Sequence, residues 1–93
     1  MNIQINNAEE AEMPETMVKN CQVLLERRIK KEFPDALPEP ETEITILYSD
    51  EDPAGEAHEG DDTAYFLYFT VEKVDSEAEG DPDKASIELA LMF

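Results

Sequence analysis

Ala64-Tyr65-Phe66-Leu67-Tyr68-Phe69-Thr70-Val71-Glu72-Lys73-Val74 is the stretch on which the fold turns. Aromatic and β-branched residues crowd it, as they do a pleated, half-buried surface. In an extended chain successive side chains alternate. Leu67, Phe69 and Val71 therefore share one face, and Phe66, Tyr68 and Thr70 the other. The spacing predicts a strand over about 64–74.

Outward from it, two further apolar alternations read as strands. Ile44, Ile46 and Tyr48 alternate with Thr45 and Leu47. Over about 85–93, Ile87, Leu89, Leu91 and Phe93 alternate with Ser86, Glu88, Ala90 and Met92. A fourth, short strand holds Ile3 and Ile5 between Asn2, Gln4 and Asn6. Between the first two strands in the chain, Met17, Val18, Cys21, Leu24, Leu25, Ile29 and Phe33 recur at spacings of three and four, which makes an amphipathic helix. Pro14 sits at its start, where a missing N–H costs nothing, and Glu15 suits the helix dipole. Pro34 disfavours helix at Phe33, so the helix is expected to stop near 32–33.

The remaining segments are connectors. Residues 7–12 are polar and acidic, 34–43 form an extended linker with Pro34, Pro38 and Pro40, 49–62 form a loop, and 75–83 form an acidic turn with Gly80 and Pro82. The expected fold is α+β, one β-α-β-β-β domain spanning 1–93, with one helix packed on a four-stranded mixed sheet. The last three strands should form an antiparallel meander, since sequential strands usually pair. The helix should cover Ile3, Ile5, Ile46, Leu67, Phe69, Leu89 and Leu91. Phe66, Tyr68, Leu47 and Met92 are left on the opposite face. They read either as scattered apolar groups under partial loop cover or as a dimer or partner face.

Charge is the strongest functional signal. The chain of 93 residues carries a formal −17. Residues 1–34 hold six acids and five bases, net −1; residues 35–93 hold eighteen acids and two bases, net −16. Such a field repels nucleic acid and anionic membranes and draws basic partners inward. Solubility or halophilic adaptation is the plainer reading. No apolar stretch approaches the roughly 20 residues needed to span a bilayer, and the N-terminus shows no secretory signal. The single cysteine, Cys21, cannot form an internal disulfide and suits a reducing cytoplasm.

Catalytic constellations are weak. His58, the only histidine, lies in the acidic loop with nothing to hold it as a general base. Cys21 falls on the apolar helix face, where a structural thiol is expected. No enzyme activity, cofactor or dedicated metal site is expected. Asp50-Glu51-Asp52-Pro53-Ala54-Gly55 and 75–81 only faintly echo a calcium loop; ligand positions are filled by Ala54 and Ser86, and flanking helices are missing.

The acids themselves are better candidates. Asp75, Glu77, Glu79, Asp81 and Asp83 occupy every second position, which in an extended chain sets five carboxylates on one side about 6.6 Å apart. Residues 50–62 add seven more, among them Asp50, Glu51, Asp52, Asp61 and Asp62. Asp35, Glu39, Glu41 and Glu43 precede the second strand. Duplex DNA carries a charge every ~1.7 Å of axis, so mimicry of it requires two or three of these segments to converge at one sheet end. The alternative is that they are solvated and guard strand edges. The basic run Arg27, Arg28, Lys30, Lys31 reads as a solvated helix end, or as a partner for an acidic loop of the same molecule.

The N-terminal half resembles the DinI-like family of small SOS-response and phage-borne regulators. The matching residues are Met1-x-Ile3-x-Ile5, Pro14, Leu25-x-Arg27-Arg28-Ile29, Phe33-Pro34-Asp35 and Ile44-x-Ile46-x-Tyr48, over about residues 1–48. The resemblance implies an α/β protein that binds the RecA filament through an acidic C-terminal helix. Residues 49–93 depart from it, reading as acidic loops and two strands, so no binding residue carries over. The leading expectation is a cytoplasmic acidic protein that mimics DNA or RNA. It would inhibit or modulate a basic nucleic-acid-binding protein such as a recombinase, restriction or CRISPR component. The alternatives are a DinI-like filament regulator and a structural interaction protein or homodimer using the aromatic face.

Overall fold

The computed structural model describes residues 1–57, 60, 62–76 and 84–92. Its elements follow the order β1 (Asn2–Ile5), α1 (Glu15–Glu32), β2 (Glu43–Tyr48), β3 (Tyr65–Ser76) and β4 (Ala85–Leu91). The four strands form one mixed sheet in the order β1-β4-β3-β2. The β2-β3-β4 meander is antiparallel, and β1 returns parallel to β4. This is the α+β arrangement expected from the apolar periodicities.

The helix begins where proline permits. Pro14 is extended, with φ −61° and ψ 151°, and its carbonyl accepts the Val18 N–H at 3.0 Å. At the other end the Phe33 N–H still reaches the Ile29 carbonyl at 2.8 Å, and Pro34 offers no donor to continue. Cys21, Leu25 and Ile29, each four residues on, are fully buried against the sheet. Ile3, Ile5, Ile44, Ile46, Tyr48, Leu67, Phe69, Val71, Ile87 and Leu89 meet them from the strands. Alternation thus does what the sequence required: every second strand residue enters one apolar layer. Leu91, expected in that layer, is only half-buried, because it lies at the end of β4.

Two connectors are more built than their compositions suggested. Residues 7–13 form a turn in which the Asn7 carbonyl accepts from Ala11 and the Ala8 carbonyl from Met13. The Asn7 side-chain amide pairs with both backbone groups of Leu91, at 2.8 Å each, and so substitutes for a strand at the end of β4. The 34–43 linker is not simply extended. It turns between Glu39 and Thr42, buries Pro38, and docks on β3 through Glu41 N–H to the Val71 carbonyl at 2.7 Å. Glu41 adopts φ 74° to make that approach.

One irregularity matters for the surface. Val71 pairs with Leu89 but Lys73 pairs with Glu88, leaving Glu72 as an extra residue in β3. A bulge of this kind bends the strand and re-aims a side chain. The Asn6 amide donates to Glu72 at 3.0 Å, which places that carboxylate on the sheet face away from the helix.

Candidate functional site: the uncovered sheet face and its acidic ends

Among the described residues the sheet has a helix on one face only. No described element lies on the other. Leu47 stands directly across from Phe66, and Thr45 from Tyr68. The Phe66 and Tyr68 rings lie 6.3 Å apart, and the Met92 N–H donates to the Tyr68 carbonyl at 2.8 Å. All four residues singled out as a dimer or partner face are therefore neighbours. Phe66 is 59% exposed, Tyr68 49% and Met92 45%, while Leu47 is half-buried. Aromatic groups left this open on a regular sheet are costly to hydrate, since each carries roughly 150–250 Å² of surface.

The same face changes character along β3. Past Thr70 and Ala90, which pair, it presents Glu43, Glu72, Glu88 and Asp75, with Lys73 among them. Glu43, Glu72 and Glu88 follow from the alternation, but Lys73 and Asp75 face this way because of the bulge, which leaves no mark in the sequence. Asp75, expected to belong to an acidic row, stands exposed opposite Ser86. Glu77, Glu79, Asp81 and Asp83, the rest of that row, lie outside the described residues, as does Asp61.

The 49–57 part of the acidic loop is a compact structure. Ser49 is fully buried, and its hydroxyl shares a 2.8 Å hydrogen bond with that of Thr63. Its N–H donates to the Gly55 carbonyl at 3.0 Å. Asp52 closes a turn by accepting the Ala54 N–H at 2.8 Å, a side-chain geometry typical of Asp in tight turns. Asn20 of the helix donates to the Pro53 carbonyl at 3.1 Å and straps the loop to α1. Asp50 accepts the Tyr65 phenol at 3.1 Å. Burial against its surroundings, then that bond and the Asp50 charge, push the Tyr65 phenol up to about 12. Glu51 and Asp62 are exposed.

The described acids of the two connections do not share one end of the sheet. Asp50, Glu51, Asp52 and Asp62 lie where β2 ends and β3 begins, whereas Asp75, Ser76 and Lys84 lie where β3 ends and β4 begins. β3 has twelve residues, so its two ends are about 36 Å apart at the rise of an extended strand. An antiparallel meander puts successive connections at opposite ends, so the described acids of the first connection do not stand beside Asp75. The linker acids Glu41 and Glu43 approach the middle of β3, at Thr70 and Val71.

The basic helix end is occupied by its own chain. Arg27 pairs with Glu56 of the acidic loop at 3.6 Å, and Arg28 with Glu32 at 3.0 Å. A shallow groove of about 210 Å³ beside them is lined by Leu24, Lys31 and Leu47. Cys21 is sealed in the core, and burial pushes its thiol up to about 12, a state in which it neither ionises nor attacks at neutral pH. Among the described residues no three His, Cys, Asp or Glu gather as metal ligands. No helix among them is long and apolar enough to cross a membrane. Compared with protein-family models, curated proteins and solved structures, the chain matches none.

Proposed function

We propose that this protein is a binding module that docks a basic, nucleic-acid-binding protein on the uncovered face of its sheet. The observation that carries the reading is the cluster of Phe66, Tyr68, Met92 and Leu47, largely open to water on a rigid scaffold. Aromatic groups near the centre of an interface supply most of its free energy. The surrounding charge of −17 selects and steers a cationic partner. A basic patch or stripe is the electrostatic footprint of a nucleic-acid-binding protein. Recombinases, restriction enzymes and CRISPR components belong to this class. The RecA filament, the partner implied by the resemblance of residues 1–48, belongs to it too. Co-sedimentation with preformed filaments tests that particular partner.

Mimicry of nucleic acid by carboxylates alone is the second reading. It is favoured by the fixed geometry of Asp50 and Asp52, which hydrogen bonds hold in place. One capture experiment separates the two. The immobilised chain is offered basic nucleic-acid-binding proteins, with and without duplex DNA as competitor. Replacing Phe66→Glu and Tyr68→Glu together should abolish capture, while reversing Asp50, Glu51 and Asp52 to lysine should weaken it and flatten its salt dependence. Capture indifferent to the sheet-face pair but lost on acid reversal would leave mimicry as the function.

A further inference from the structure

Resting on that reading, we infer that the occupant of the uncovered face is an α-helix of the partner that carries an apolar block at one end and a lysine- and arginine-rich block at the other. The face is divided along β3. Leu47, Phe66, Tyr68 and Met92 occupy one half; Glu43, Glu72, Glu88 and Asp75, with Lys73 among them, occupy the other. A partner must match both halves at once, because basic groups over the aromatic half lose their hydration without a counter-charge, and apolar groups over the acidic half strip water from carboxylates.

The backbone decides the partner's conformation. Strand N–H and C=O groups lie in the plane of the sheet and are directed at neighbouring strands, so its face offers side chains alone. A chain resting there must satisfy its own backbone, which a helix does and an extended segment does not. Helix on sheet is also the arrangement already used on the covered side. From Phe66 to Asp75 is nine residues of strand, about 30 Å. That is the length of a helix of about 20 residues.

A second copy of the chain fits poorly. Phe66, Tyr68, Met92 and Leu47 together expose on the order of 400 Å², so the rest of the roughly 800 Å² per partner usual in a stable complex has to come from the acidic half, where a second copy brings like charge. Two copies would also bring −17 against −17. A cationic helix supplies the missing energy through the acidic half.

The test uses the full chain and three synthetic helical peptides of about 20 residues. One carries a leucine stripe followed by a basic block, one has that block replaced by glutamate, and one is basic throughout. Binding is read by calorimetry against the parent chain, Phe66→Glu, the triple variant Glu43→Lys/Glu72→Lys/Glu88→Lys, and Asp50→Lys/Glu51→Lys/Asp52→Lys. The two-block peptide should bind most tightly and lose at least about tenfold in affinity to Phe66→Glu and to the triple variant. The loop variant should change it by less than about threefold. Equal binding of the glutamate peptide, or no binding of the two-block peptide, overturns the inference. Loss on Phe66→Glu with no effect of the triple variant also overturns it, while leaving the face as the docking surface. Loss only on the loop variant overturns both. Self-association of the chain that competes with the peptide assigns the face to a second copy instead.

Discussion

At the scale of single residues, Gly55 shows how tightly the acidic loop is specified. It adopts φ 72°, a conformation that costs other residues about 1–2 kcal/mol. A Cβ built there would run into the Tyr48 ring, which is itself buried and hydrogen-bonded to Asn20. Gly60 shares the positive φ, at 87°, but has open space around it. Gly55→Ala should therefore lower stability by roughly 3 kcal/mol, and Gly60→Ala by about 1 kcal/mol. Urea denaturation of the two variants side by side checks this. Equal midpoints would mean that Tyr48 yields without cost and that the loop is not packed on the core. The wider consequence is that Asp50 and Asp52 are presented by a built structure and not by a solvated coil.

At the scale of elements, β3 separates stability from recognition within a single strand. Phe69 is fully buried against α1, while Phe66 and Tyr68 on the other side of the same ribbon are about half exposed. Phe69→Ala should cost about 3–5 kcal/mol, the usual loss for emptying an aromatic site in a core. Phe66→Ala should stay within about 0.5 kcal/mol, as surface changes do. Thermal or urea melts of both variants decide the matter. A large loss at Phe66 would mean that this face is covered in the folded protein and is not available to a partner. The bulge at Glu72 belongs to the same scale. It shifts the alternation by one residue, so that Lys73 and Asp75 turn to the open face while Val74 joins Val71 on the core side of the sheet.

At the scale of the whole molecule, charge works against the fold. The pair of the Met1 amine with Glu26 is more sheltered, but most of the ion pairs seen involve exposed side chains, such as Lys19 with Glu15 one helical turn apart. Pairs of that kind contribute little. A net −17 confined to a chain with a radius of gyration of 13.1 Å repels itself. Raising salt from about 10 mM to about 500 mM shortens the screening length from roughly 30 Å to a few ångströms. The urea midpoint should rise over that range. A falling midpoint would show that favourable ion pairs outweigh the repulsion. The same screening should weaken binding of a cationic partner, so fold and complex are expected to respond to salt in opposite directions.

The elements themselves were determined by the sequence. Periods of two and of three to four mark which residues belong to strands and which to the helix, and the prolines at 14 and 34 bound α1. The same alternation sorts Phe66, Tyr68, Leu47 and Met92 from the core, because side-chain direction in a strand is a local property of the chain. Only the tertiary structure decided what lies next to what. The bulge at Glu72, the Asn7 clasp on Leu91, the packing of the linker through Pro38, and the placing of Asp50 and Asp75 at opposite ends of β3 all depend on strand order and register. Those are set by contacts between residues far apart in the chain, and no local pattern encodes them. Composition could count the carboxylates; the meander determined that Asp50, Glu51 and Asp52 stand at one end of β3 and Asp75 at the other.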